Sequence, residues 1–281
     1  MARCGMLRFS ILGCGRMGSW FAKSLKNRGA DLLLYDIRLS RAEKIAESVG
    51  GRYISSLSKI PTDRPILLAL PVKATGQVIG RLASETEAQL KIVEISAFKK
   101  PVHPYILRAR RRGHIVASIH PLFGPGQKDD RGTLTLHVER RSIMEDRLVR
   151  LLLPNTRLKR LSVEEHDKKM LVALALTHFI GITASKLLSE IESTRILTKS
   201  LEALLSLVSI SILESAEFYS DYPMTSREAL RLFRKYNNTV DTMIRILQSG
   251  QAPKNIKSVA KSLGRRYDMP GIYERLYSFS K

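Results

Sequence analysis

"RFSILGCGRMGSWFAKSL", residues 8–25, runs from an apolar stretch through a glycine-rich turn into a helix. Leu7 to Leu12 reads as a strand, and Met17 to Arg28 as a helix with Trp20, Phe21, Ser24 and Leu25 at helical spacing. Between them stand Gly13, Cys14, Gly15, Arg16, Met17 and Gly18, glycines at the first, third and sixth places. A strand before and a helix after are the context that gives this spacing meaning. Gly13 permits a tight turn, Gly15 lets a pyrophosphate approach the backbone, and Gly18 lets the helix pack close to the strand. The helix N-terminus then offers free N–H groups to phosphates. A second strand, Ala30 to Tyr35, ends at Asp36, 18 positions after Gly18. An acid there accepts hydrogen bonds from a ribose 2′-hydroxyl and repels a 2′-phosphate. The pattern therefore implies a bound dinucleotide, with NAD favoured. Arg38, two positions on, could accommodate the extra phosphate and keeps NADP open.

Outward from this unit, short apolar runs alternate with helical stretches. Pro65–Leu70, Lys91–Ile95, His114–Ile119 and Leu134–Val138 read as strands, with helices at Ser40–Val49, near Thr75–Ser84, and in the basic stretch before His114. That alternation implies an α/β fold with a Rossmann-type parallel sheet. From about Leu158 the strands stop. "SVEEHDKKMLVALALTHFIGITASKLL", residues 162–188, reads as one long helix opened by a Ser162/Glu165 capping box. Its middle, Met170–Leu176, is apolar all round, which predicts burial on every side, between subunits. Leu201–Leu213 is equally apolar. Glu228–Leu247 is amphipathic and stops at Gly250, and Ile256–Ser278 reads as basic helix broken near Pro270-Gly271. The expected domains are 1–158, binding the dinucleotide, and 159–281, all-helical, binding substrate and dimerising.

Lys and Arg number 47 against 26 Asp and Glu, a formal charge of +21. The cations are spread along the chain with no basic arm. Aromatics are only 6%, leaving few stacking platforms, so nucleic acid is not the expected partner. The charge fits attraction of an anionic substrate. Cys4 and Cys14 make neither a disulfide framework nor a metal site, and no metal is expected. There is no run of about 18 apolar residues and no secretory leader in "MARCGMLRF", so a cytoplasmic protein with no membrane span is expected.

Three turns fall on one rim of such a sheet, beyond the carboxyl ends of its strands, where ligands bind. "ALPVKAT", residues 69–75, leaves its strand through Leu70 and Pro71; "EISAFKK", residues 94–100, through Ser96; "SIHPLFGPG", residues 118–126, through His120. His120 ends an apolar strand and is followed by two prolines and two glycines that fix its aim. An imidazole placed beside the nicotinamide end of a cofactor can take a proton near neutral pH.

These segments together resemble the prephenate dehydrogenase family. "SIHPLFGPG" is similar to its HPxFGP segment, "EISAFKKPV" to its serine-plus-lysine turn, and "SVEEHDKKMLVALALTHF" to its helix with a His-Asp pair and a later histidine. The resemblance covers the fingerprint through about residue 250. It implies NAD(P)-dependent oxidative decarboxylation of prephenate, a small dianion, to 4-hydroxyphenylpyruvate in tyrosine biosynthesis, by a homodimer; arogenate dehydrogenases share the pattern. It implies His120 as acceptor of the C4 hydroxyl proton, Ser96 as its hydrogen-bonding neighbour, and His178 in the substrate pocket. His166 and Asp167 lie in the first turn of their helix, where an acid suits the dipole, and a structural role serves them equally well. The family's carboxylate-gripping arginine is missing: a gapless count lands on Glu202. Lys199, Arg195 or Lys128 is left to grip the carboxylate. Two other readings remain. One is another Rossmann/helical-dimer oxidoreductase such as an imine reductase, which gives no reason for HPLFGPG. The other is a dinucleotide-sensing regulator that binds nucleic acid.

Overall fold

The computed structural model describes residues 6–192 and 196–278. The chain separates into two compact units, Met1–Met170 and Leu171–Lys281.

The first unit runs β1 (Arg8–Leu12), α1 (Arg16–Lys26), β2 (Asp31–Tyr35), α2 (Leu39–Val49), β3 (Arg52–Tyr53), β4 (Ile66–Leu68), α3 (Val72–Ser84), β5 (Lys91–Glu94), α4 (His103–Arg111), β6 (Ile115–Pro121), β7 (Leu134–Val138), α5 (Ile143–Leu152), β8 (Arg157–Leu161) and α6 (Val163–Met170). The eight strands form one sheet in the order β3-β2-β1-β4-β5-β6-β7-β8. All neighbours are parallel except β6 and β7, where His120 faces Leu136. Strand order reverses between β1 and β4, the switch point at which a doubly wound sheet binds its ligand. Phe9, Ile11, Leu34, Leu67, Val93, Ala117 and Ile119 are buried along the central strands. Helices cover both faces, so these strands read as continuous apolar runs rather than alternating ones. This is the Rossmann-type α/β fold that the alternation of runs and helices implies.

Strand β8 corrects the reading that strands stop near Leu158. "RLKRL" carries no β-branched residue, yet pairs with β7 from Leu134↔Arg157 to Val138↔Leu161. Its three cations lie on the edge of the sheet, where charge discourages further strands from adding. Helix α5, also absent from the sequence reading, starts where Ser142 Oγ accepts the Glu145 N–H at 3.3 Å. The Ser162/Glu165 box forms: Glu165 N–H donates to Ser162 Oγ and Ser162 N–H to Glu165 Oε2, each at 3.1 Å. The division after Met170 lies beyond the 158/159 boundary read from sequence. Strand β8 belongs to the sheet, and α6 buries Val163, His166, Asp167 and Met170.

The second unit starts inside the long helix. A π-helical segment, Leu171–Leu176, leads into α7 (Thr177–Glu190), followed by α8 (Lys199–Ile212), α9 (Ala216–Ser220), α10 (Tyr222–Thr225), α11 (Arg227–Gln248), α12 (Ala252–Gly264) and α13 (Met269–Ser278). α7 packs on α8 at Gly181, where a Cβ would lie 1.9 Å from Ser211 Oγ. Phe179 stacks on Phe233 of α11 with ring centroids 4.1 Å apart. Gly250, at φ 69°, terminates α11 as expected. The break in the last stretch falls at residues 265–268; Pro270 and Gly271 sit in the first turn of α13, where proline is at home. The apolar centre of the long helix is not enclosed within one chain. Met170 and Ala175 are buried, whereas Val172 is 49% exposed. Val163–Glu190, 28 residues, contains an 18-residue window long and apolar enough to cross a membrane, which corrects the count made on sequence; 17% of that window is buried. Core helices of soluble proteins meet the same criterion.

Candidate active site of the N-terminal unit

The glycine turn has the geometry its spacing implies. Gly13 has φ 95°, and a Cβ on it would lie 2.3 Å from the Ala69 carbonyl oxygen and 3.0 Å from Leu70 Cδ2. A Cβ on Gly18 would lie 1.8 Å from Gly13 O. Around Gly15, by contrast, no protein atom comes within 4 Å of that position. Two glycines are thus required by the protein's own packing, and the third faces open space. No side chain caps the start of α1. This cradle fits a nucleotide pyrophosphate. Gly18→Ala is expected to destabilise the unit by about 1–3 kcal/mol through overpacking and to weaken NAD binding. Thermal unfolding and the fluorescence of Trp20, the single tryptophan, measure the two effects.

Asp36 ties the end of β2 to this turn. Its Oδ2 accepts the Cys14 N–H at 2.7 Å and its Oδ1 the Arg38 N–H at 2.8 Å. Each oxygen keeps a further lone pair for a ribose hydroxyl. Burial, then Asp36, pushes the Cys14 thiol up to about 12, so it stays protonated and inert. Arg16 and Arg38 have exposed side chains and Met17 is partly buried. Across the rim, Thr75 Oγ1 donates to Leu70 O at 3.2 Å and Pro71 O at 3.0 Å, fixing the turn into α3. Trp20 Nε1 donates to Gln127 O at 2.5 Å, and its ring lies 4.8 Å from Phe123, tying α1 to the loop after His120.

His120 stands on this rim, partly exposed, at the end of β6. Its Nδ1 lies 2.9 Å from His166 Nε2, and His166 Nδ1 lies 2.7 Å from Asp167 Oδ1. Asp167 is held by the Lys99 N–H on Oδ1 and the Lys100 N–H on Oδ2, each at 2.9 Å. Beneath lies a buried ion pair. Lys99 Nζ donates to Glu94 Oε1 at 2.8 Å and to Ile119 O, the residue before His120, at 2.7 Å. Ser118 Oγ also donates to Glu94 Oε1, and Ser96 N–H to its Oε2 at 2.8 Å. Glu94 thus joins the ends of β5 and β6. Ser96 Oγ is buried and has no hydrogen-bond partner among the described residues. A buried hydroxyl in that condition on a ligand rim is suited to meet a ligand.

Burial first, then the neighbouring His166 ring and the Lys99 ammonium, hold His120 well below the usual imidazole range. Burial also lowers His166; the Asp167 hydrogen bond opposes that shift, and Lys99 adds to it. Both rings are therefore neutral near pH 7. Unfolded, they would bind protons below about pH 6.5. Folding then releases protons in that window, so stability falls as pH drops through it. The midpoint of thermal unfolding is expected to decline from about pH 6.5 to pH 5, above the range in which ordinary carboxylates titrate; a flat midpoint there would contradict neutral burial.

The remaining candidates lie elsewhere. Lys128 is exposed in the loop beyond Gly126. In the helical unit, His178 is buried, its Nδ1 donates to Leu174 O at 3.0 Å, and its ring lies 4.7 Å from Phe218. The π-helical segment Leu171–Leu176 lies immediately before its helix. Lys199 Nζ donates to Glu202 Oε2 at 2.8 Å. Arg195 lies outside the described residues. Among the described residues no cluster could hold a metal. Sequence reading gave no role to Glu94 or Ser118, and touched Lys99 only through the serine-plus-lysine turn. A glutamate inside the apolar run "KIVEI" was the available signal, since an acid there needs a buried partner.

Residues 21–143 match the family described as prephenate dehydrogenase, nucleotide-binding domain. The chain is 22% identical over 273 residues to a "Probable arogenate/prephenate dehydrogenase" of Methanocaldococcus jannaschii, covering 92% of this chain and 61% of that protein. It is 23% identical to the chloroplastic arogenate dehydrogenase 1 of Arabidopsis thaliana, over 84% of this chain and 38% of that one. The fold is similar to the crystal structure of prephenate dehydrogenase from A. aeolicus with hydroxyphenyl propionate and NAD+: TM-score 0.71, 15% identity, covering 94% of this chain and 98% of that one. Residues 21–143, within the N-terminal unit, thus carry the match to the nucleotide-binding domain of prephenate dehydrogenases.

Proposed function

We propose that the chain is an NAD-dependent dehydrogenase that converts prephenate to 4-hydroxyphenylpyruvate and carbon dioxide. The observation that carries this reading is the neutral imidazole of His120 on the same rim as the open glycine cradle. Bound NAD supplies the hydride acceptor. His120 accepts the proton of the substrate's ring hydroxyl as the C4 hydrogen leaves. The same oxygen recovers a proton as carbon dioxide departs and the ring becomes aromatic, so no net proton is released. Ser96 offers its buried hydroxyl to the same group. Asp36 favours NAD over NADP by charge. His178, Lys199, Lys128 and Arg195 are assigned to the substrate, with the positive surface speeding capture of a dianion. We assign the apolar faces of the helical unit, including the exposed Val172, Leu187, Leu204 and Ile210, to a homodimer in the cytoplasm; sedimentation at graded concentration tests it.

One observation favours arogenate as a second reading. Lys199 is paired with Glu202 where the family has an arginine. A lysine–glutamate pair complements the ammonium and carboxylate of an amino acid better than it does a keto acid. The test is reduction of NAD+ and of NADP+ with each substrate in parallel cuvettes. Prephenate with NAD+ is expected to give the highest kcat/KM; a clear preference for arogenate replaces the first substrate by the second, and no reduction with either overturns the dehydrogenase reading.

A further inference from the structure

A carboxylate only accepts hydrogen bonds, and this fixes the proton positions along Asp167–His166–His120. His166 Nδ1 must donate to Asp167 Oδ1 at 2.7 Å. In a neutral ring its Nε2 is then an acceptor. His120 Nδ1, 2.9 Å away, must therefore donate, which leaves His120 Nε2 bare. Asp167 itself is pinned as an anion by two backbone N–H groups. His166 is fully buried. The charged groups acting on it are Asp167, Lys99 and Glu94, and those acting on His120 are Lys99 and the His166 ring itself.

We propose that His166, oriented by Asp167, is a positioning residue that sets His120 in the Nδ1–H tautomer and takes over the proton His120 receives. The proposal rests on His120 being the base. The substrate hydroxyl proton forms a bond to His120 Nε2 while the His120 Nδ1 proton moves to His166 Nε2. His120 stays neutral throughout, and the positive charge settles on His166 against the Asp167 carboxylate. The same two shifts in reverse return a proton to the substrate oxygen as the ring aromatises. The gain is that no imidazolium stands beside the oxidised, positively charged nicotinamide. The Asp167 hydrogen bond, which favours a protonated His166 ring and is not among the influences on His120, directs the proton the same way.

The test uses the full chain with 15N-labelled histidine, the His120 signals being identified by their loss in His120→Asn. The wild type is expected to show His120 protonated on Nδ1 near neutral pH, against the Nε2–H form usual for free imidazole side chains. In His166→Phe the Nε2–H form should take over, and kcat should fall by about a hundredfold or more, as when a base holds the wrong tautomer. In His166→Gln an amide oxygen can still accept from Nδ1. That variant should keep the tautomer while kcat drops roughly tenfold or more and KM moves less than about twofold, because it cannot hold the proton. An Nε2–H His120 in the wild type overturns the proposal. So does an unchanged tautomer in His166→Phe, or a His166→Gln enzyme with wild-type kcat and pH profile. The tautomer is read without substrate, so a chain that reduces no NAD+ sinks the functional reading while leaving this arrangement separately decided.

Discussion

His120→Asn is expected to bind NAD as the wild type does and to turn over about a hundredfold more slowly or worse, the usual contribution of a general base. The substitution sits at the end of β6, whose backbone is paired with β5 and β7 independently of the side chain. An asparagine can still meet His166 but cannot take a proton. The loss should therefore fall on kcat, with the glycine cradle intact. Trp20 makes the separation measurable: it lies on α1 next to the cradle and is the only tryptophan. Fluorescence titration with NAD should give an unchanged affinity. Wild-type turnover in this variant would remove His120 from the chemistry.

Lys99→Met is expected to cost about 3–5 kcal/mol of stability, the usual penalty for stranding one member of a buried ion pair. Lys99 and Glu94 are both wholly buried. Removing the ammonium leaves Glu94 to the Ser118 hydroxyl and the Ser96 N–H among the described residues, and frees Ile119 O beside His120. The damage should be partly relieved in Lys99→Met/Glu94→Gln, which removes the stranded charge and keeps the acceptor for Ser118. Denaturant unfolding of the two variants reads the difference. Equal stability of Lys99→Met and wild type would show that the pair is not holding the ends of β5 and β6 together. The Lys99 ammonium raises the cost of a proton on either histidine, so the single variant should also shift the acid limb of the rate profile upward.

The parts of this fold that were legible in sequence are those dictated locally. The glycine turn follows from steric demands within six residues: Gly13 and Gly18 meet backbone atoms that no side chain could share. His120 stood out because the Pro-Gly turn behind it stops a buried strand. Strand β8 did not, because Arg157 to Leu161 owes its conformation to the partner β7 rather than to β-branched residues. Six aliphatic residues give no hint that Leu171–Leu176 winds as a π-helix. The hydrogen-bonded chain from Asp167 to His120 spans 47 positions of sequence, from 120 to 167. His166 looks like any polar residue in a first helical turn until the sheet brings β6 beneath it. Lys99, whose backbone N–H holds Asp167, reads as one of many cations in a chain of formal charge +21, and only burial distinguishes it.

The central claim is that hydride leaves the substrate ring carbon that bears the hydroxyl and passes to a nicotinamide, with decarboxylation in the same turnover. Prephenate carrying deuterium at C4, incubated with this chain and NAD+, measures it directly by mass spectrometry of the reduced cofactor. The account predicts deuterium on the nicotinamide and carbon dioxide in an amount equal to the reduced cofactor formed. Reduced cofactor that carries only protium, or that forms without carbon dioxide, would contradict it.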